Sequence, residues 1–131
     1  MVRKIDAPTT IAPAGNLPKI IHEYVGRVNT GNEGVSVALM QSPAGWQEPA
    51  QTPEFMEITL VLEGCVEVHA QDDHLYVHAN EAVVTMPGER VRYETPEGAR
   101  YVAICLPAFS PDTVHRDAEP PTKNASATDT P

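Results

Sequence analysis

The residues of this sequence best suited to bind a metal are its histidines. His69 and His78 flank an Asp72-Asp73 turn, which predicts that they lie on neighbouring strands of a hairpin, with His74 near its tip. Imidazole is a good ligand for divalent transition metals, so a cross-strand pair of histidines could bind one. Exposed strand faces are commonly polar, however, and we favour solvated hairpin histidines over a metal site.

The cysteines and arginines offer less specific chemistry. Cys65 and Cys105 are too few for a disulfide framework and match no Cys-x-x-Cys metal motif, so we expect them to pack as small apolar residues. Arg90, Arg92 and Arg100 could bind a carboxylate or phosphate of a substrate. Because the chain has 18 acidic residues against 9 basic ones, pairing with acids on neighbouring strands is favoured.

The charge distribution excludes two classes of partner. The formal net charge is −9, and ten carboxylates but no Lys or Arg lie between Arg27 and Arg90. Nucleic acids and anionic membrane surfaces are bound by clustered basic residues, so we expect neither as a partner. The sequence shows no signal peptide and no apolar span fit for a membrane, which predicts a cytoplasmic protein.

Short runs with period-two alternation predict an all-β protein, a sandwich or a barrel. No segment of ten or more residues carries a helical period without a breaker. The predicted strands are 35–40, 55–62 (a run that stops at Gly64), 65–69, 75–78, 82–85, 91–93 and 101–106.

Prolines and polar residues divide the chain into three parts. We expect residues 1–18, with three prolines, to form an extended N-terminal leader, and residues 19–116 to form the barrel domain. Residues 117–131 have too little apolar content to offset the entropy of ordering, which predicts a disordered polar tail.

Two segments resemble the motifs of the cupins. From Gly45 to Glu57 the chain reads GWQEPAQTPEFME, and Gly64 follows after six further residues, which matches the spacing of the first cupin motif. Residues 80–91, with a Pro87-Gly88 turn, resemble the second motif. The resemblance covers about residues 35–112 and implies a double-stranded β-helix, the jelly-roll barrel of the RmlC-like cupins. That fold hosts many activities, so it does not specify one.

In metal-binding cupins, three histidines and one glutamate hold a transition metal inside the barrel. Here Gln51, Pro53 and Val91 stand at the histidine positions, and Glu57 stands at the glutamate position. Since proline and valine have no side-chain donor, we expect neither a metal nor another cofactor. A degenerate site, in which Glu57, Gln51 and waters hold a hard cation, remains an alternative.

The orientation of Glu57 is predicted differently by periodicity and by the resemblance. Ile58, Leu60 and Leu62 form the apolar phase of this strand, so alternation alone points Glu57 to solvent. The resemblance implies the opposite orientation, into the barrel, and we favour it. An inward Glu57 is compatible with an apolar outer phase if the leader or a second subunit covers that phase, and we therefore expect a homodimer.

An inward carboxyl without a metal has a raised pKa and can act as a general acid or base. We therefore predict Glu57 as the catalytic residue. Gln51 can orient a carbonyl or carboxylate, Tyr93 supplies either a phenol or an aromatic filler, and Trp46 either caps the opening or packs in the core. The predicted substrate-binding residues are Gln51, Thr59, Val91, Tyr93, Trp46, Cys105 and Phe109.

Two functions remain open from the sequence. The first is a metal-independent enzyme of the isomerase, cyclase or lyase type, with Glu57 as general acid or base. The second is a non-catalytic ligand-binding or sensory barrel, in which Glu57 recognises the ligand. No second acid or base is evident near Glu57, because Glu54 lies in the opposite strand phase.

Overall fold

The computed structural model describes residues 1–118, which contain nine β-strands and no helix, and it confirms the all-β class. No helix that could cross a membrane was found in these residues. Of the predicted tail, residues 119–131 lie outside the described part of the chain. The strands are β1 (Thr9–Thr10), β2 (Ile20–Val25), β3 (Ser36–Ser42), β4 (Trp46–Gln47), β5 (Met56–Ala70), β6 (His74–His78), β7 (Ala82–Thr85), β8 (Val91–Thr95) and β9 (Ala99–Leu106).

The strands form two antiparallel sheets that share β5. In the first sheet the order is β1-β2-β3-β9-β5-β7, and in the second it is β4-β8-β5-β6. The first half of β5 pairs with β7 and β9, while its second half pairs with β6 and β8. The two curled sheets enclose one interior, as in the jelly-roll barrel that the sequence predicts.

Gly64 bends β5 instead of ending it, which corrects the predicted boundary between two separate strands. Its φ is +82°, and a Cβ at this position would collide with the backbone of Gly98 and Ala99 on the neighbouring strand and turn. Only glycine tolerates both the backbone conformation and the close approach. The chain therefore passes from one sheet into the other within a single strand of 15 residues.

Two buried clusters fill the interior. The smaller one joins Phe55, Cys105 and Val114, with Phe109 packed against it. The larger one contains ten buried side chains drawn from both sheets: Trp46, Val61, Val66, Val68, Val77, Val83, Val91, Tyr93, Ala99 and Tyr101.

The N-terminal leader lies against the barrel. β1 pairs with β2, and the Nε1 of Trp46 donates a hydrogen bond of 3.1 Å to the carbonyl of Ala14. Asn16 is bound to Gln47 through its backbone N–H (3.0 Å) and through its side-chain oxygen, which accepts the Gln47 N–H at 2.8 Å. The sequence did not predict β1, β2 or β4, and two of these strands are only two residues long.

Candidate functional site

A cavity of about 90 Å³ lies inside the barrel, partly beneath the leader. Ile11, Ala12 and Ala14 of the leader line it from one side, and inward side chains of β2, β3, β5, β8 and β9 line it from the others. The volume has room for several waters or one small organic molecule.

Glu57 points into this cavity. Thr59 and Val61, two and four residues later on β5, are buried, whereas Leu60 is 39 % exposed on the outer face. The alternation argument is therefore wrong for this strand, because its more apolar phase covers the outside of the barrel. The inward phase includes the polar Glu57 and Thr59 because both side chains line the cavity.

Burial raises the pKa of Glu57 to about 7, and the neighbouring carboxyl of Glu48 adds to this rise. The positive charges of Lys19 and Arg116 act in the opposite direction, as does the side-chain amide of Gln51, whose Nε2 lies 3.5 Å from Oε1 of Glu57. Near neutral pH both protonation states of Glu57 are thus populated, which suits proton transfer in either direction.

Glu48 is a second buried carboxyl in the cavity, and the sequence analysis missed it. Burial raises its pKa, and within residues 1–118 its Oε2 has no hydrogen-bond partner. A signal was available: Glu48 follows Trp46 by two residues and shares its strand phase, so a buried Trp46 predicts an inward Glu48.

Lys19 supplies a cation to the same cavity. Its Nζ lies 3.1 Å from the hydroxyl of Tyr101, 3.5 Å from the sulfur of Met40 and 3.9 Å from the centre of the Trp46 ring. Burial lowers the pKa of Lys19 to about 8, while Glu48 and Glu57 oppose this effect. Since about 8 is above neutral, the amine is mainly protonated at pH 7.

Arg116 adds a second cation, in a segment that follows the last strand. Its backbone forms an isolated bridge with Gln51, and its guanidinium lies 5.7 Å from the centre of the Phe109 ring. The residue is exposed but still lines the cavity, and its charge lowers the pKa of both Glu57 and Glu48.

The three arginines considered from the sequence lie elsewhere and have acidic partners. Arg100 of β9 pairs with Glu63 of the neighbouring β5, as we favoured, whereas Arg92 pairs with Glu94 of its own strand and Arg90 pairs with Asp117 outside the strands.

Of the residues predicted for the site, Glu57, Gln51, Thr59, Tyr93, Trp46, Cys105 and Phe109 all line the cavity. Val91 does not. It is 1 % exposed within the larger buried cluster, and its backbone exchanges two hydrogen bonds of 2.8 Å with Gln51. The catalytic and binding roles of these residues stay predictions.

The phenols and the thiol around the cavity are neutral at physiological pH. Burial raises the pKa of Tyr93 well above its usual value, and it raises the pKa of Tyr101 and of Cys105. The hydroxyl of Tyr93 is bonded to Thr85 at 3.1 Å and that of Tyr101 to Ser42 at 2.9 Å. The two tyrosines are therefore positioned hydrogen-bonding groups, and the protonated Cys105 is a poor nucleophile.

The residues at the cupin metal positions do not fit a transition metal. Pro53 and Val91 offer no side-chain donor, which leaves one amide and one carboxyl. A divalent cation beside Glu57 would also face the positive charges of Lys19 and Arg116, which line the same cavity. The donor set and the local charge both favour a small organic ligand in the cavity over a resident metal ion.

Comparison with known proteins identifies one curated relative. A Myxococcus xanthus protein named endoribonuclease YbeY is 38 % identical to this chain over 105 residues, which are 79 % of this chain and 36 % of that protein. The chain therefore spans about a third of that relative's length. No known family model matches the chain.

Solved structures similar to this chain are cupin barrels. The polyketide cyclase RemF from Streptomyces resistomycificus superposes with a TM-score of 0.71 at 14 % identity, covering 100 % of this chain and 95 % of its own. For an RmlC-like cupin from Shewanella frigidimarina the TM-score is 0.67 at 13 % identity, with 79 % and 86 % covered.

An oxalate decarboxylase variant from Bacillus subtilis gives a TM-score of 0.72 at 15 % identity, covering 95 % of this chain and 35 % of that one. These likenesses agree with the fold described above, in which two antiparallel sheets share β5. This chain has the RmlC-like cupin fold.

Proposed function

We propose that this chain binds a small organic molecule in the barrel and transforms it without a metal, by general acid–base catalysis at Glu57. The observation that carries the proposal is the position of Glu57: it faces the cavity with a pKa raised to about 7. A carboxyl with a pKa near the working pH is effective both as a base and as an acid.

The groups around Glu57 can complete such a reaction. As a carboxylate, Glu57 takes a proton from a carbon next to a carbonyl, and negative charge develops on the carbonyl oxygen. Lys19 and Arg116 are cations that would stabilise this charge. In an isomerisation Glu57 returns the proton at a second carbon. In a cyclisation the enolate carbon bonds to a second carbonyl carbon of the same molecule, and Glu57 protonates the oxygen that receives the electron pair. In an elimination the β-leaving group departs with its bonding electron pair, and Glu57 protonates it.

The cavity also indicates the chemistry of its ligand. Two cations on its wall suit a carbonyl or carboxylate, and the unpaired Oε2 of Glu48 suits a hydroxyl or amine donor. The remaining wall includes the apolar side chains of Ile21, Met40 and Phe109. We therefore propose a small oxygenated acid or ketone that carries a hydrogen-bond donor.

Solvent exchange tests this proposal before the substrate is known. Chelator-treated protein is incubated in deuterated water with a panel of keto acids, hydroxy ketones and aldoses, and proton loss at carbon is followed by NMR. We expect exchange with at least one compound, reduced about 100-fold or more in Glu57→Gln. The exposed Glu97 provides a matched control, and Glu97→Gln should retain the full rate. Equal rates in Glu57→Gln and the unaltered protein would contradict the proposal.

A ligand-binding domain without turnover is the second candidate. It is favoured by the curated relative, in which the matching segment is about a third of a longer protein named as an endoribonuclease. We do not propose RNA binding by this chain, because its net charge of −9 opposes binding to a polyanion. Saturable binding of a panel compound without exchange or product, weakened in Glu57→Gln, would favour this candidate.

We also propose a homodimer formed through the outer face of the first sheet. Register places Ile58 of β5 opposite Val84 of β7 and Ile104 of β9, and Leu60 and Leu106 extend the same apolar face. Val84 is 53 % exposed and Leu60 39 %, so a second copy would bury substantial apolar surface there.

We also propose a cytoplasmic location, because the two free cysteines fit a reducing compartment.

A further inference from the structure

Two histidines and two glutamates converge on the outer face of the second sheet, away from the cavity. Glu67 and His69 lie two residues apart on β5 and so share a face. His69 is directly opposite His74 on β6, and Glu67 is directly opposite Glu94 on β8. Residues from three strands therefore meet at one patch, which we call the outer histidine cluster.

The donor atoms of Glu67, His69 and His74 all lie within 4.8 Å of one another, which is close to the spacing of ligands around one ion. Oε1 of Glu67 lies 3.3 Å from Nε2 of His74 and 3.7 Å from Nε2 of His69, and that nitrogen lies 3.0 Å from Oε2 of Glu94. A tetrahedral zinc ion with bonds of about 2.1 Å separates its ligand atoms by about 3.4 Å. Little movement would be needed to bind an ion.

The cluster also has unsatisfied charge and an unsatisfied nitrogen. Glu67 and Glu94 are like charges placed directly opposite each other, which is unfavourable in a sheet. Arg92, whose Nη1 lies 2.6 Å from Oε2 of Glu94, compensates only one of them. Within residues 1–118, the buried Nε2 of His69 has no aligned hydrogen-bond partner despite its closeness to Glu94. A cation between the side chains would satisfy the nitrogen and neutralise the remaining carboxylate.

We propose that Glu67, His69 and His74 bind one zinc ion on the outside of the barrel, beside the Arg92–Glu94 ion pair. Two imidazoles and one carboxylate form a nitrogen–oxygen set suited to zinc, whereas calcium and magnesium take oxygen ligands. This site is separate from the cavity.

The ion would act as a clamp between strands. Within the described residues β6 pairs only with β5, so the second sheet ends at β6. An ion held by His74, His69 and Glu67 would tie this strand to β5, with a water in the fourth tetrahedral position. The proposed role is structural, because the ion joins two neighbouring strands.

Zinc titration of tag-free, chelator-treated protein tests the proposal. Calorimetry should give one binding equivalent, and the ring resonances of His69 and His74 should shift on adding zinc. His74→Gln should weaken binding about 100-fold or more, since even groups that only support a metal ligand contribute 10–100-fold. His78→Gln is the matched control: it alters an exposed histidine on the same strand, opposite Cys65, and should leave the affinity unchanged.

Thermal unfolding provides a second measurement that does not depend on activity. At a zinc concentration that saturates the unaltered protein but lies below the dissociation constant of His74→Gln, zinc should raise the midpoint of the unaltered protein and of His78→Gln and leave that of His74→Gln nearly unchanged. Equal zinc affinity in all three proteins would overturn the proposal. So would ring resonances of His69 and His74 that respond to pH but not to zinc, because the cluster would then be an ion-pair network only.

Discussion

The ammonium nitrogen of Lys19 lies 3.9 Å from the centre of the Trp46 ring. This contact joins the start of β2 to β4 and holds a cation over an aromatic face inside the barrel, where such an interaction is strengthened by the loss of water. The same cavity is also lined by Arg116, Glu48 and Glu57. It therefore contains two cations and two carboxyl groups, although the whole chain carries a net charge of −9.

The charges around Glu57 predict opposite effects for two substitutions. Lys19→Met removes a positive charge that stabilises the carboxylate, so the pKa of Glu57 should rise above about 7. Glu48→Gln removes a negative charge that disfavours the carboxylate, so the same pKa should fall. Carboxyl ¹³C NMR titration measures both shifts, with Glu97→Gln as an unshifted control. Shifts in the same direction would show that the three groups do not interact as described.

Stability should depend on pH through the two buried charges. The pKa of Glu57 is raised from 4.5 to about 7, so the folded state holds a proton that the unfolded state releases, and stability falls as pH rises through this window. The pKa of Lys19 is lowered from 10.5 to about 8. Burying the charged amine therefore lowers the free energy of unfolding at pH values below about 8, and this loss is recovered as pH rises toward 10.5.

Each of these groups should change the free energy of unfolding by up to about 3 kcal/mol across its window. Urea unfolding at a series of pH values should show the decrease between pH 4.5 and 7 flattened in Glu57→Gln. The increase above pH 8 should be flattened in Lys19→Met. An unchanged pH profile in both variants would contradict the burial of these charges.

Local sequence patterns predicted the barrel better than they predicted the cavity. Period-two alternation located most of the strands, and the cupin resemblance oriented Glu57 correctly where alternation did not. Lys19, Glu48 and Arg116 come from three distant segments, and Lys19 contacts Tyr101 across 82 residues of sequence. Local alternation of apolar and polar residues does not predict which distant segments come into contact.

The cross-strand pair of His69 and His78 considered from the sequence was wrong, because the register places His69 opposite His74 and His78 opposite Cys65. Glu94 comes to lie beside His69 only through the register of β5 with β8.

The leader should respond to substitution of Gly15. This glycine has a φ of +115°, and a Cβ there would collide with Nε1 of Trp46 and lie 2.7 Å from the carbonyl oxygen of Gln47. In Gly15→Ala we expect the leader to detach and the buried Trp46 to become exposed, with a red-shifted and more readily quenched fluorescence. Gly88→Ala is the control, because Gly88 also has a positive φ but nothing within 4 Å of its Cβ position. It should cost about 1–2 kcal/mol and leave Trp46 fluorescence unchanged.

The proposed dimer predicts the effect of a charge on the outer face. Val84→Glu places a carboxylate on the exposed apolar face and should shift the protein from dimer to monomer in sedimentation equilibrium. Tyr76→Glu alters a comparably exposed position on β6, 56 % exposed, and should leave the dimer intact. A monomer before any substitution would refute this interface.

The pKa of Glu57 in chelator-treated protein tests the central claim most directly. Carboxyl ¹³C NMR of glutamate-labelled protein, with the Glu57 signal assigned by its loss in Glu57→Gln, gives this value without knowledge of the substrate. We predict a titration midpoint at about 7, because the carboxyl is buried beside Glu48. A midpoint near the ordinary value of 4.5 would contradict the proposed acid–base role.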